Sequence, residues 1–250
     1  AFADARPDDA RAICRAALAR PGGWLGAGEV RTVLAAFGLP AGPGGVARTA
    51  EEALAIAADI GYPVALKAAS HRIVHKTEVG GVRLNLADAE SVRAAFAAML
   101  AAVARVDAKA ADDGVLVQPM VRGGVEVMAG MVVDPVFGPL LAFGLGGIHV
   151  EILGDVAFRV APLSDRDAGE LVRAIRGYCL LEGYRGHPAA SVAALEDLLL
   201  RLSALAVAIP EIAELDLNPI FALADSCLVV DARIRVHPVP ARVPIPGGEP

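Results

Sequence analysis

Apolar and polar positions divide the chain into two textures. Up to residue 40 the pattern is helical. Positions 8–20 start on Asp8 and Asp9 and are stopped by Pro21-Gly22-Gly23, and 29–37 ends at Gly38 and Pro40. Beyond a Pro/Gly connector at 41–45, strand and helix patterns alternate. A short strand is expected at 46–48. Thr49 and Glu52 form a capping box that opens a helix through Ile60, with Gly61 at its end. The apolar run 63–69 reads as a buried strand, 70–81 as a polar loop bearing histidines, and 82–86 as an alternating strand. Positions 88 to 106 predict a long, alanine-rich helix.

After 107–113, strand patterns dominate: 115–120, 125–133 and 140–143, then a glycine loop and 156–161. Ser164 with Asp167 caps a helix to 175, and 191–209 is another. The last strands are expected at 214–216, 220–224 and 228–234, before a proline-rich tail. No internal repeat is visible. Two blocks of alternating elements predict an α+β chain of two lobes with a cleft between them. The divisions are a helical extension at 1–40, a first lobe at 41–112, a second at 113–237 and the tail at 238–250.

Composition removes several function classes. The net charge is -6 with no block of basic residues, which argues against a nucleic-acid partner. A mean hydropathy of +0.52 raises the question of a membrane. The longest apolar stretch, 136–150, carries four glycines and a proline. It falls short of the ~20 unbroken residues that a spanning helix needs. Asp4, Arg6, Asp8 and Asp9 interrupt any apolar core of a secretion signal, so a soluble, cytoplasmic protein is expected. Cys14, Cys179 and Cys227 are sparse and unpaired in spacing, which suits a reducing cytosol; His71 and His75 lack a nearby cysteine or third histidine for zinc. Against 20 arginines there are only three lysines, Lys67, Lys76 and Lys109, and the amides are Asn85, Asn218 and Gln118. In such a background a lysine or amide is a candidate for a local chemical requirement.

Three segments carry candidate chemistry. In the first, Lys67 ends a buried strand ahead of a loop that holds His75 and closes on Gly80-Gly81. An ammonium and glycine backbone N–H groups suit phosphate, and imidazole is a competent phosphoryl carrier near neutral pH. A tight turn with Lys67 reaching to solvent, and a solvated loop histidine, fit the same residues. The second is Phe143-Gly-Leu-Gly-Gly147, followed by Glu151 and Arg159. It fails the dinucleotide fingerprint because His149 stands where the third glycine belongs. It reads either as a connecting loop or as a phosphoryl-positioning one. In the third, Asp216 and Asn218 share one strand face, with Asp231 expected on the neighbouring strand. This trio suits Mg²⁺ held together with nucleotide phosphates, while a plain Asn-Pro turn is the alternative.

Together, the stretch from Gly61 through His75-Lys-Thr-Glu-Val-Gly-Gly-Val82, the stretch from Phe137 through Pro162, and Asp216-Leu-Asn-Pro-Ile220 resemble the ATP-grasp domain of ADP-forming (NDP-forming) acyl-CoA synthetases, related to the β subunit of succinyl-CoA synthetase. The resemblance runs from about Glu29 to Arg235. It implies an ATP-grasp fold, two α+β lobes clamping ATP or ADP with Mg²⁺, and the reaction acyl-CoA + ADP + phosphate ⇌ carboxylic acid + CoA + ATP. By the same resemblance, His75 is the loop histidine that relays phosphate. Lys67 would bind nucleotide phosphate, Gly80 and Gly81 would serve the loop, and Gln118, Met120 and Val121 would lie along the adenine-side hinge, with Glu126 near the ribose. Asn218 and Asp231 would be metal ligands, Asp216 would steer the phosphohistidine, and Glu151 and Arg159 would stand in the phosphoryl-transfer region. The CoA-binding and CoA-ligase portion lies outside these 250 residues, so the expected partner is that portion, as an α-type subunit or part of a longer chain. Two other readings fit such a domain: a regulatory synthetase-like module of a bacterial protein lysine acetyltransferase, and an ATP-grasp carboxylate–amine ligase, which needs no phosphorylatable histidine.

Overall fold

A computed structural model describes residues 2–73, 76–147, 154–184 and 188–239. Helices α1 (Pro7–Ala17) and α2 (Ala27–Ala36) lead into β1 (Gly45–Ala47), α3 (Ala50–Ile60), β2 (Val64–Ala68), β3 (Val82–Leu86), α4 (Ala89–Val106), α5 (Ala108–Ala111) and β4 (Val115–Pro119). Then come β5 (Val125–Asp134), β6 (Gly138–Leu145), β7 (Val156–Val160), α6 (Asp165–Arg173), α7 (Val192–Ala208), β8 (Ile212–Ala222), β9 (Cys227–Val229) and β10 (Ala232–Val236).

The strands form two antiparallel sheets. The first is ordered β1-β4-β2-β3; the second is β10-β8-β5-β6-β7, with β9 added on β8. Each sheet buries one face under helices. In β2, Val64, Leu66 and Ala68 pack with α3 and α4 through Ala53, Ala57, Phe96 and Met99, while Ala65 and Lys67 point away from that core. In the second sheet Val127, Ala129 and Met131 of β5 meet Leu141 and Phe143 of β6 under α6 and α7. The period of two that makes the strands also leaves one face of each sheet free to turn toward the other lobe.

Local signals act as the sequence predicts. The Thr49 side chain accepts from the Glu52 N–H and Glu52 returns the bond, capping α3, which ends at Gly61 with φ +84°. Asp88, Ser164 and Ser191 cap α4, α6 and α7. Four features differ from expectation. Residues 107–113, given no element from sequence, include a short helix, because Asp107 accepts from the Lys109 N–H and caps α5. Strand β4 pairs with β1 and β2, so the first sheet extends beyond residue 112, where the sequence texture changes. The strands expected at 214–216 and 220–224 are one continuous β8, with Asn218-Pro219 inside it rather than in a turn. The strand expected at 228–234 is broken at Val230-Asp231 into β9 and β10. There the Val230 carbonyl turns out of the sheet toward the other lobe, and the Ala232 N–H is taken by the Asp231 side chain.

The first 40 residues are integral to the second lobe. Ala10, Cys14, Val33, Leu34 and Phe37 lie in the same core as β5, β6 and α7. Trp24 bridges Arg235, and Arg15 pairs with Glu211 at 2.8 Å.

Candidate functional site

The free faces of the two sheets enclose a cleft of about 550 Å³, within the range of small-molecule sites. From the first sheet and its loop come Ala65, Lys67, Lys76, Val82, Leu84 and Gln118. The β4–β5 connection adds Met120 and Val121, and the second lobe contributes Pro219, Phe221, Val230, Asp231 and Arg233. One end of the cleft is therefore apolar and the other is charged.

At the charged end, two side chains from the first sheet converge on one backbone atom of the second lobe. Lys67 Nζ and Gln118 Nε2 each donate to the Val230 carbonyl, both at 3.1 Å. Burial pulls the Lys67 ammonium below the usual lysine value; Asp231 opposes that shift and Lys76 adds to it. Gln118 is only 6% exposed. Its Nε2 is committed to Val230, and its buried Oε1 has no hydrogen-bond partner among the described residues. An unpaired buried acceptor is costly, and this one lies on the wall of the cleft.

Asp231 sits in the β9–β10 link instead of on a strand, yet it reaches the expected neighbours. Its carbonyl accepts from the Asn218 N–H at 3.0 Å, and its Oδ1 lies 3.5 Å from Lys76 Nζ. Asp216 stands opposite Arg233 across the β8–β10 pair. Burial pushes the Asp216 carboxyl up to about 6; Arg233 counters this, and Asp231 and Glu214 reinforce it. No group of three or more His, Cys, Asp or Glu is poised to hold a metal among the described residues. The donors expected from sequence would be one carboxylate, Asp231, and one amide, Asn218, whose backbone N–H meets the Asp231 carbonyl, with Asp216 on the same strand as Asn218. That is too few for an all-protein cage, but it fits Mg²⁺, which commonly takes one or two protein oxygens and completes its shell with phosphates and water.

Other predicted residues fall elsewhere. Gly80 and Gly81 close the β2–β3 loop on itself: Gly80 N–H donates to Thr77 and Gly81 N–H to Lys76, at 3.1 and 2.7 Å. Gly80 has φ +71°, and a Cβ on Gly81 would stand 3.0 Å from the Lys76 carbonyl. Both glycines serve the turn, and their N–H groups are spent there instead of facing the cleft. Glu126 is on β5 against the glycine loop, its carbonyl accepting from Gly146 N–H, and it is in register with Phe221 of the cleft wall. Arg159 is not brought to the cleft. It lies on the outer strand β7 with its guanidinium 3.7 Å from Glu170 of α6. His75 and Glu151 lie outside the described residues. Lys76 and Arg233 line the cleft without having been assigned a role from sequence; the scarcity of lysine was the available signal for Lys76.

A family model described as an ATP-grasp domain matches residues 16–236. The chain belongs to the ATP-grasp family. Among ATP-grasp relatives, it is 44% identical over 206 residues to the β subunit of acetate–CoA ligase [ADP-forming] I from Pyrococcus furiosus, covering 82% of this chain and 89% of that one. It is 45% identical over 217 residues to acetate–CoA ligase [ADP-forming] I from Archaeoglobus fulgidus, covering 87% of this chain but spanning only 32% of that longer protein. The ATP-grasp fold is also seen in acetyl-coenzyme A synthetase 1 from Ca. Korarchaeum cryptofilum, which matches with a TM-score of 0.79 at 37% identity over 91% of this chain and 100% of that one. That protein is in complex with coenzyme A and Mg-AMPPCP, its phosphohistidine segment pointing towards the nucleotide binding site.

Proposed function

We propose that this chain is the nucleotide-binding part of an ADP-forming acyl-CoA synthetase, carrying phosphate on His75 between ADP and a CoA-ligase part that these 250 residues do not contain. The observation that carries this reading is the meeting of Lys67 and Gln118 from one sheet with Val230 and Asp231 from the other, at the charged end of a nucleotide-sized cleft. The similarity to ADP-forming ligases, one of them a separate β subunit and one a longer chain, supports it. The relatives described here are ligases, which favours synthesis over an acetyltransferase-linked regulatory role.

In this reading the apolar end, with Leu84, Met120, Val121 and Phe221, takes the base. The unpaired Gln118 Oε1 accepts an N–H from it, and Glu126 lies on the ribose side. Lys67 holds the phosphates as a point charge. Asn218 and Asp231 would hold magnesium, which when bound neutralises phosphate charge. Asp216, beside them, orients the histidine. The imidazole of His75 takes a phosphoryl group from the partner. The P–N bond then breaks as a terminal ADP oxygen attacks, yielding ATP and free histidine. Such transfer is governed by positioning and charge neutralisation more than by acid–base groups, consistent with a cleft lined by Lys67, Lys76, Arg233, Glu78 and Asp231. The site of action would be the cytoplasm, where the nucleotide is found. Among the described residues, no helix is long and apolar enough to cross a membrane.

The test is incubation with γ-labelled ATP and Mg²⁺. Acid-labile, base-stable phosphate is expected on the wild type and none on His75→Ala, with ADP binding retained by the variant. Label of equal amount on His75→Ala would remove the relay.

A further inference from the structure

Lys76 crosses from one lobe to the other. It follows His75 in the β2–β3 loop, and its ammonium lies 3.5 Å from Oδ1 of Asp231 in the β9–β10 link, with the two side chains 15% and 24% exposed. The same Oδ1 accepts the Ala232 N–H at 3.1 Å. Nearby charges come from every element around the carboxylate: Lys67 of β2, Arg233 of β10 and Asp216 of β8. Lys67 is committed to the Val230 carbonyl, and Lys76 is a cation set within ion-pair distance of Asp231.

A magnesium ion on that carboxylate would sit ~2.1 Å from an oxygen, within a few ångströms of the ammonium. At that separation, in a partly buried site, two cations repel strongly. One carboxylate cannot serve both at full strength. We infer that Lys76 is a resident counter-cation for Asp231, holding the carboxylate and the start of its own loop against the second lobe until a divalent cation displaces it. The inference rests on the reading of Asp231 as a metal ligand. Binding of the metal and pairing of Lys76 with Asp231 are then coupled, and each weakens the other by the same factor. Lys76 adjoins the proposed phosphate carrier, so arrival of metal and nucleotide would free the residue next to His75 from its tether.

The measurement is ADP affinity of the whole chain by titration calorimetry, once with Mn²⁺ and once with EDTA. The ratio of the two affinities is the metal enhancement, and a contact of Lys76 with phosphate that is equally strong with and without metal cancels in it. Lys76→Gln should raise the enhancement on the order of tenfold, the scale of one charge-assisted contact, and Lys76→Arg should keep the wild-type value. An unchanged or smaller enhancement in Lys76→Gln overturns the inference, as does a Lys76→Arg that behaves like Lys76→Gln. Asp231→Asn separates the two levels of the argument. Loss of enhancement there with no effect of Lys76→Gln removes only the role of Lys76. Wild-type enhancement in Asp231→Asn removes the metal reading and the role of Lys76 with it.

Discussion

The Val230 carbonyl is the smallest unit on which the two lobes agree, since it receives one donor with a full charge and one without. Lys67 is held there at some cost to its charge, through burial. A buried ammonium next to a cleft gains most when an anion enters. Lys67→Ala should weaken ADP binding in EDTA by about 10- to 100-fold, the range for a charged hydrogen bond. Titration calorimetry reads it directly, and an unaltered affinity would assign Lys67 to lobe contact alone. His71, at the back of the same interface, offers a pH test. It lines a small cavity with Trp24, Ser70 and Gln118. Burial lowers its pKa below 6.5, helped by Arg72 and Arg20 and opposed by Asp113 and Glu29. The unfolded chain therefore binds the proton first as pH falls, so His71 supplies stability that is present above 6.5 and lost below it. Asp216 runs the other way. It keeps its proton up to about 6 in the fold against 3.8 unfolded, which favours the folded state more as pH drops through that window. The difference between wild type and His71→Gln isolates the histidine. Urea midpoints should converge as pH is lowered from about 7 to about 5, and a constant gap would exclude His71 as the titrating group.

At the scale of elements, what could be read from sequence is what the chain decides locally. The Thr49–Glu52 box, the Ser164–Asp167 box and the short strand β3 at 82–86 each depend on residues a few positions apart, and each is found as expected, although burial along β3 does not alternate. Thr49→Ala should cost about 1 kcal/mol, lowering the melting temperature by roughly 2–4 °C in a calorimetric scan; no shift would mean that packing alone holds the start of α3. The misread elements are those decided across space. Asn218-Pro219 carries a strong turn signal, yet it continues as strand because β8 is flanked by β5 and β10 along its length. Val230 and Asp231 read as strand and still bond β8 through the Val230 N–H and the Asp231 carbonyl, but the Val230 carbonyl faces Lys67 and Gln118 across the cleft and interrupts the pairing. The allegiance of β4 follows from pairing with β1 and β2, residues 47 to 72 positions away, a distance at which no local pattern speaks. The site was legible to the same degree. Lys67, Gln118, Met120, Val121 and Asp231 meet in the cleft, whereas Arg159 was drawn toward it by sequence proximity to a glycine loop and is instead paired with a helix.

For the whole molecule, the consequence of two sheets facing each other is two separate cores. The first lobe's core leans on small side chains, with Ala47, Ala53, Ala57, Ala68, Ala95 and Ala110 among its buried members. The second gathers Phe37, Phe143 and a run of leucines from α7, and includes α1 and α2 besides. Buried apolar area per residue is lower where alanine stands in for leucine, so the first lobe has less to hold it against local opening. A ligand that touches both lobes stabilises the closed form by mass action, by about 2.7 kcal/mol at a hundredfold excess over Kd, and much of that should fall on the weaker lobe. Hydrogen exchange followed by mass spectrometry resolves the two. Without nucleotide, peptides covering α3 and α4 should exchange through an opening of lower free energy than peptides covering α7. With saturating ADP, protection of α3 and α4 should rise by up to ~100-fold, closing the gap, while α7 changes less. Equal protection of both lobes without ligand would show that the interface at Val230 already couples them into one cooperative unit. A rise confined to α7 would mean that the nucleotide does not bridge the sheets, and the cleft would lose its role as the binding site.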